Sequence, residues 1–105
     1  LAIFKVPITN SAYSTFAYSL EGEIYSFTLR YNRTTGSWYM DLEGGTDTIV
    51  IRNIKLVTNL RLIRQHGYQQ IGEFLLLDQE KKEEDPDEYG LGDRWILLYI
   101  EKDTF

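Results

Sequence analysis

The alternation of side chains between Tyr25 and Leu42 constrains the fold more than any other feature of this chain. Tyr25, Phe27, Leu29 and Tyr31 share one face of an extended segment. Ser26, Thr28, Arg30 and Asn32 share the other, which is the period of two of a half-buried strand. Asn32-Arg33-Thr34-Thr35-Gly36 supplies a hairpin loop in which Gly36 can take positive φ without a Cβ clash. Trp38, Met40 and Leu42 then resume the alternation on a return strand. Bulky rings therefore line one side of a sheet, and the hairpin has no room for catalytic groups.

The same reasoning extends along the chain. Ile3 to Ile8 is a short apolar strand broken by Pro7, which cannot donate to a ladder, so it belongs at a sheet edge. Tyr13 to Leu20 alternates through Phe16 and Tyr18, and Glu21-Gly22 turns it into the Tyr25 strand, giving a three-strand meander. After the break at Glu43 to Asp47, Thr48 to Val57 reads as another strand or a bent pair of strands around Asn53, which is the expected bulge or turn. Thr58 or Asn59 is placed to cap a two-turn helix over Leu60 to His66, ended by Gly67. Ile71 to Leu77 is a further strand. The charged run from Asp78 to Glu88, with Pro86 inside it, reads as an exposed loop. Leu91-Gly92-Asp93 leads into Trp95 to Glu101, a last strand whose apolar content on both faces predicts a central, well-covered position. The expected fold class is mainly β. Six to seven strands and one short helix form a small antiparallel barrel or sandwich, with residues 1–105 as a single domain.

Composition bounds the function classes. With 105 residues, 43% hydrophobic and 14% aromatic, the chain can bury one core and is not expected to be disordered. A net charge of −5 argues against a protein whose main task is to neutralise phosphates or coat an anionic membrane. The absence of cysteine removes disulfides, thiolate nucleophiles and Cys-based zinc sites together. The longest apolar runs are too short for a bilayer and no signal-like segment opens the chain, so a soluble, unexported domain is expected.

None of the catalytic or ligand-binding patterns is complete. His66 is the only histidine, and its place at the end of the expected helix suits a dipole partner better than a base. No Gly-x-Ser-x-Gly elbow is present. Asp78, Glu80, Glu83, Glu84, Asp85, Asp87 and Glu88 lack the ordered spacing of a calcium loop and are interrupted by Lys81 and Lys82, so they read as a solvated run. The same residues present no rigidly spaced pair for glycoside hydrolysis. Gly44-Gly45 lacks the helix and lysine of a phosphate loop. The eight Tyr, five Phe and two Trp, with Arg30 and Arg33 nearby, allow a stacking platform for single-stranded nucleic acid or a subunit interface. Core packing is the simpler account of Tyr25, Phe27 and Trp38. No catalytic, cofactor-binding or metal-binding residue is assigned, and no cofactor is expected.

Several segments taken together resemble the baseplate plug proteins of contractile-tailed bacteriophages. They are Val6-Pro7-Ile8, Phe27 to Asn32, Gly36 to Leu42, Ile54 to Thr58, Leu60 to Gly72 with its Ile71-Gly72 pair, and Tyr89-Gly90-Leu91-Gly92 before the last strand. Asn59 stands where the family often carries Gly, and Lys81 to Asp85 is more charged than the family's loop. The resemblance implies a non-enzymatic virion protein, assembled in the host cytoplasm and present as a homo-oligomer around the tail axis. It also implies contacts with hub, tail tube, tape measure and the sheath or tube initiator. Such a subunit would close or organise the tail lumen before DNA ejection, with no membrane and no specific nucleic-acid partner. The alternative from the residues alone is a small β-barrel binding module for single-stranded nucleic acid or a protein.

Overall fold

The computed structural model describes residues 3–20, 22–44, 49–59, 62–63 and 72–101. Seven strands run in the order β1 (Ile3–Val6), β2 (Tyr13–Leu20), β3 (Glu23–Asn32), β4 (Ser37–Gly44), β5 (Ile49–Lys55), β6 (Glu73–Asp78) and β7 (Trp95–Ile100). They form two antiparallel sheets, β2-β3-β4-β5 and β1-β7-β6. The sheets are separate and do not close on each other by hydrogen bonds, so the barrel alternative is corrected. The physical reason is that the chain leaves the four-strand meander once, after β5, and its remaining strands pair with β1 instead of with either edge of the meander.

The central hairpin forms as its pattern requires. Asn32 lies opposite Ser37 and Tyr31 opposite Trp38, while Gly36 adopts φ 69°. Asn32 organises the loop, because its Oδ1 accepts the N–H of Thr34 at 2.9 Å and its carbonyl accepts that of Gly36 at 2.8 Å. Tyr25, Phe27, Leu29, Trp38, Met40 and Leu42 are buried on the inner face. Phe27 joins the two sheets. Its ring stacks on Phe16 at 5.0 Å and meets Phe74 of β6 edge-on at 5.8 Å, and Phe74 in turn packs on Tyr99 of β7.

The bend expected at Asn53 is a β-bulge with a packing consequence. Met40 pairs with Ile54, but Leu42 pairs with Ile51, so one residue of β4 faces two of β5. Simple alternation would send Ile51 and Ile54 to opposite faces, yet both are buried, because Asn53 at φ 58° takes up the extra residue. A polar clamp on the outer face holds this geometry. Asp41 Oδ1 accepts the Asn53 N–H and an Arg30 N–H, each at 2.8 Å, and Asn53 Oδ1 accepts from Arg30 at 2.8 Å.

Among the described residues there is no helix, and most of the segment expected to be helical, Leu60, Arg61 and 64–67, lies outside them. Thr58, one of the two expected caps, lies beside β6. It forms a parallel bridge to Leu76, Asn59 adopts φ 61° and donates its N–H to the Leu76 carbonyl, and Leu62 and Ile63 are buried in a turn. Backbone bonding to the edge of β6 therefore fixes Thr58, Asn59 and Leu62. The last strand is central in its sheet, between β1 and β6, as expected. Its inner residues Trp95, Leu97 and Tyr99 are buried, whereas Ile96, Leu98 and Ile100 on the outer face are only partly covered.

Candidate functional site

The feature with the densest polar chemistry is the acidic segment between β6 and β7. Its charge pattern predicts an exposed loop, and most of residues 79–88 are exposed, but they also form a strap bound across the body of the protein. Both tryptophans hold it. Trp38 on β4 donates its indole N–H to the Asp87 carbonyl at 2.7 Å, and Trp95 on β7 donates to the Glu84 carbonyl at 2.9 Å. Thr58 adds two bonds, from its N–H to Asp85 Oδ1 at 3.1 Å and from its hydroxyl to the Glu84 carbonyl at 2.7 Å. Pro86 is buried beneath the strap, so this part of the run does join the interior.

Arg94 anchors the start of the strap. Its guanidinium grips Asp78 through two parallel bonds of 2.9 and 2.8 Å, reaches Glu84 at 2.7 Å, lies 3.6 Å from Glu80 and sits 4.2 Å from the centre of the Trp95 ring. The Asp78 side chain is almost fully enclosed, at 1% exposure, so only a paired carboxylate is tolerable there. The bond from Arg94 is the main cause that holds the Asp78 carboxyl far below the usual carboxylate range against its burial, with the N–H of Glu80 assisting at 2.9 Å. Asp78, then Glu84, push the Arg94 guanidinium further above its ordinary value.

Other carboxylates of the run are likewise directed to protein donors. Asp87 Oδ1 accepts the N–H groups of Tyr89 and Gly90, and Glu88 pairs with Arg33 at 2.8 Å. Glu88 raises the Arg33 guanidinium above its ordinary value, first through that hydrogen bond. No three His, Cys, Asp or Glu residues converge on a point suited to a metal ion among the described residues. His66 and Gly45 lie outside the described residues.

The nucleic-acid platform drawn from the aromatics does not assemble. The rings of Tyr25, Phe27 and Trp38 are in the core, and Tyr31 leans on Trp38 at 5.3 Å. Arg30 and Arg33 do line one shallow groove with Ala12, Tyr31, Asn32 and Tyr39. Arg30 is bound to Asp41 and Asn53, and Arg33 to Glu88, so both cations already have acidic or polar partners. A second groove has an apolar floor of Leu77 and Ile96, rimmed by Asn59, Asp78, Gln79, Lys81 and Glu83. It lies where the strap leaves the outer face of the small sheet. Sequence patterning gave no sign of the indole pins, since partners 49 and 11 residues apart are not linked by any local period. The one available signal was Arg94-Trp95, a cation beside a ring directly after an acidic run.

Fold and surface together define a small antiparallel two-sheet protein whose charged side chains are largely committed to fastening its own loops. The chain matches the family model described as cyanophage baseplate Pam3 plug gp18 over residues 3–102, and it belongs to that family of phage baseplate proteins. No curated protein matches it.

Proposed function

We propose that this protein is a non-enzymatic structural subunit of a contractile phage tail. It would sit as a single-domain β-sandwich at the junction of tube, hub and tape measure, and close or organise the lumen before DNA is ejected. The observation that carries the reading is the family match across residues 3–102. Several copies surround the tail axis in this proposal, assembled in the host cytoplasm, with hub, tail tube, tape measure and the sheath or tube initiator as neighbours.

Two physical features support it. A net charge of −5, with Glu83, Asp85 and Asp87 exposed on the strap, disfavours retention of a passing polyanion. A strap fastened by two indoles, a threonine and an arginine presents those charges on a defined surface, which suits a part that must hold its shape against neighbours. The commitment of Arg30 and Arg33 to acidic partners counts against single-strand binding, and the scatter of the carboxylates onto backbone donors counts against an enzyme. Cryo-electron microscopy of tails purified from the source phage tests the proposal. Density for this chain on the baseplate axis is the expected result, and its absence from the particle overturns it.

A further inference from the structure

The two sheets have four outer edges, and two of them are blunted. The edge of β6 is occupied by Thr58, Asn59 and Leu62 of the same chain, through the Thr58–Leu76 bridge, the N–H of Asn59 on the Leu76 carbonyl at 2.9 Å and the N–H of Leu62 on the Phe74 carbonyl at 3.2 Å. The edge of β5 is broken by the Asn53 bulge and carries Arg52 and Lys55. β2 differs from both. Its eight residues, Tyr13 to Leu20, contain no charge, proline or glycine, and pair with β3 in unbroken register. Such an edge is an open template for another strand.

The hydrogen-bond phase of β2 shows which groups it offers. The Tyr31 N–H donates to the Ala12 carbonyl at 2.9 Å, one step beyond the Tyr13–Arg30 pair. Bonded and non-bonded pairs alternate along an antiparallel ladder, so Ser14, Phe16, Tyr18 and Leu20 bond β3. The N–H and C=O groups of Tyr13, Thr15, Ala17 and Ser19 point away from the sheet. Phe16 and Tyr18, on the inner face, are only partly covered.

Among the described residues the other edge with nothing bonded to its outer side is β1, on the other sheet, and it too exposes apolar side chains, Ile3 at 51% and Phe4 at 43%. We infer that the β2 edge of one subunit receives β1 of a second copy, head to tail. Each copy then uses both of the edges that the described residues leave open. The single charge on β1, Lys5, meets an uncharged strand, so no like charges oppose each other despite the acidic net charge. A two-fold β2 to β2 contact would instead leave Ile3 and Phe4 unpaired. Head-to-tail addition is heterologous and propagates about an axis, which is what several copies around a tail require. The inference rests on the multi-copy reading above and names the surfaces that build it.

Light scattering of the purified chain across a concentration series tests it. The unaltered chain is expected to assemble beyond the dimer. Ala17→Pro removes an outward N–H that β3 does not use, and is expected to keep the melting temperature while weakening association by at least about tenfold. Ala17→Lys, which keeps the N–H and places a charge on the edge, is the second variant and is expected to act the same way. Ile3→Lys/Phe4→Lys is also expected to be monomeric alone, and a mixture of it with Ala17→Pro to stop at a one-to-one dimer. A monomeric unaltered chain at millimolar concentration, assembly by Ala17→Lys equal to that of the unaltered chain, or dimers of Ile3→Lys/Phe4→Lys alone would each overturn the contact. Detection of the chain in purified tails is independent of these results, so the contact can fail while baseplate membership stands.

Discussion

Replacing Trp38 and Trp95 by Phe isolates the fastening of the strap from the packing of the core. Each substitution keeps an aromatic ring in a buried site and removes the N–H that holds Asp87 or Glu84 by its carbonyl. The lost hydrogen bond is worth about 1 kcal/mol net, and the smaller ring leaves a void costing about as much again. Each variant should therefore lose about 2 kcal/mol, against a total of about 5–15 kcal/mol for a domain of this size, and melt about 8–12 °C lower. The two pins hold one strap, so the double variant should lose less than the sum, with a coupling of at least about 0.5 kcal/mol in a double-mutant cycle. Urea unfolding gives the energies. Hydrogen exchange gives the location, because the Glu80, Lys82 and Thr58 amides bonded within or to the strap should lose protection first. Tyr89→Phe, on an exposed ring, is the control and should be neutral. Strict additivity, with strap amides exchanging as in the unaltered chain, would refute the idea that the indoles pin a single unit.

Three further outcomes follow from particular contacts. Asp78 has a depressed folded pKa, so its contribution to stability is complete above the unfolded carboxyl range near pH 4 and is lost as pH falls from there toward the lower folded value. Urea midpoints should drop below about pH 4, and the acid-side slope should flatten in Asp78→Asn, which still packs but does not titrate. Gly92→Ala should cost about 1–3 kcal/mol in thermal unfolding, because Gly92 holds φ 87° and a Cβ would lie 2.5 Å from the Ile8 carbonyl oxygen. Asp41→Ala removes the acceptor shared by Arg30 and the Asn53 N–H, and should cost about 2 kcal/mol, with the exchange of β5 amides next to the bulge rising most.

What was legible in the sequence had a local cause. Alternation from Tyr25 to Leu42 gave the central hairpin with its inner face, Gly36 the loop, Pro7 the end of the first edge strand, and Asn53 the irregularity in β5, because each effect acts within a few residues along the chain. The mainly β class and the antiparallel pairing followed from these short connections, and the family resemblance from the order of the same segments. Charge patterning gave the exposure of the acidic run but not its fastening, since Arg94, Trp38, Trp95 and Thr58 are brought to it from elsewhere. The edge of β6 likewise offered Thr58, Asn59 and Leu62 backbone partners that no local propensity reveals. The sequence by itself thus determined which segments are strands and which faces they bury. Only the tertiary structure decided that the meander and the second sheet stay separate, that the acidic run is fastened, and that β1 and β2 stand at the ends of their sheets. Those outcomes depend on hydrogen-bonding groups and rings separated by tens of residues, and such partners exist for each other only once the chain has folded.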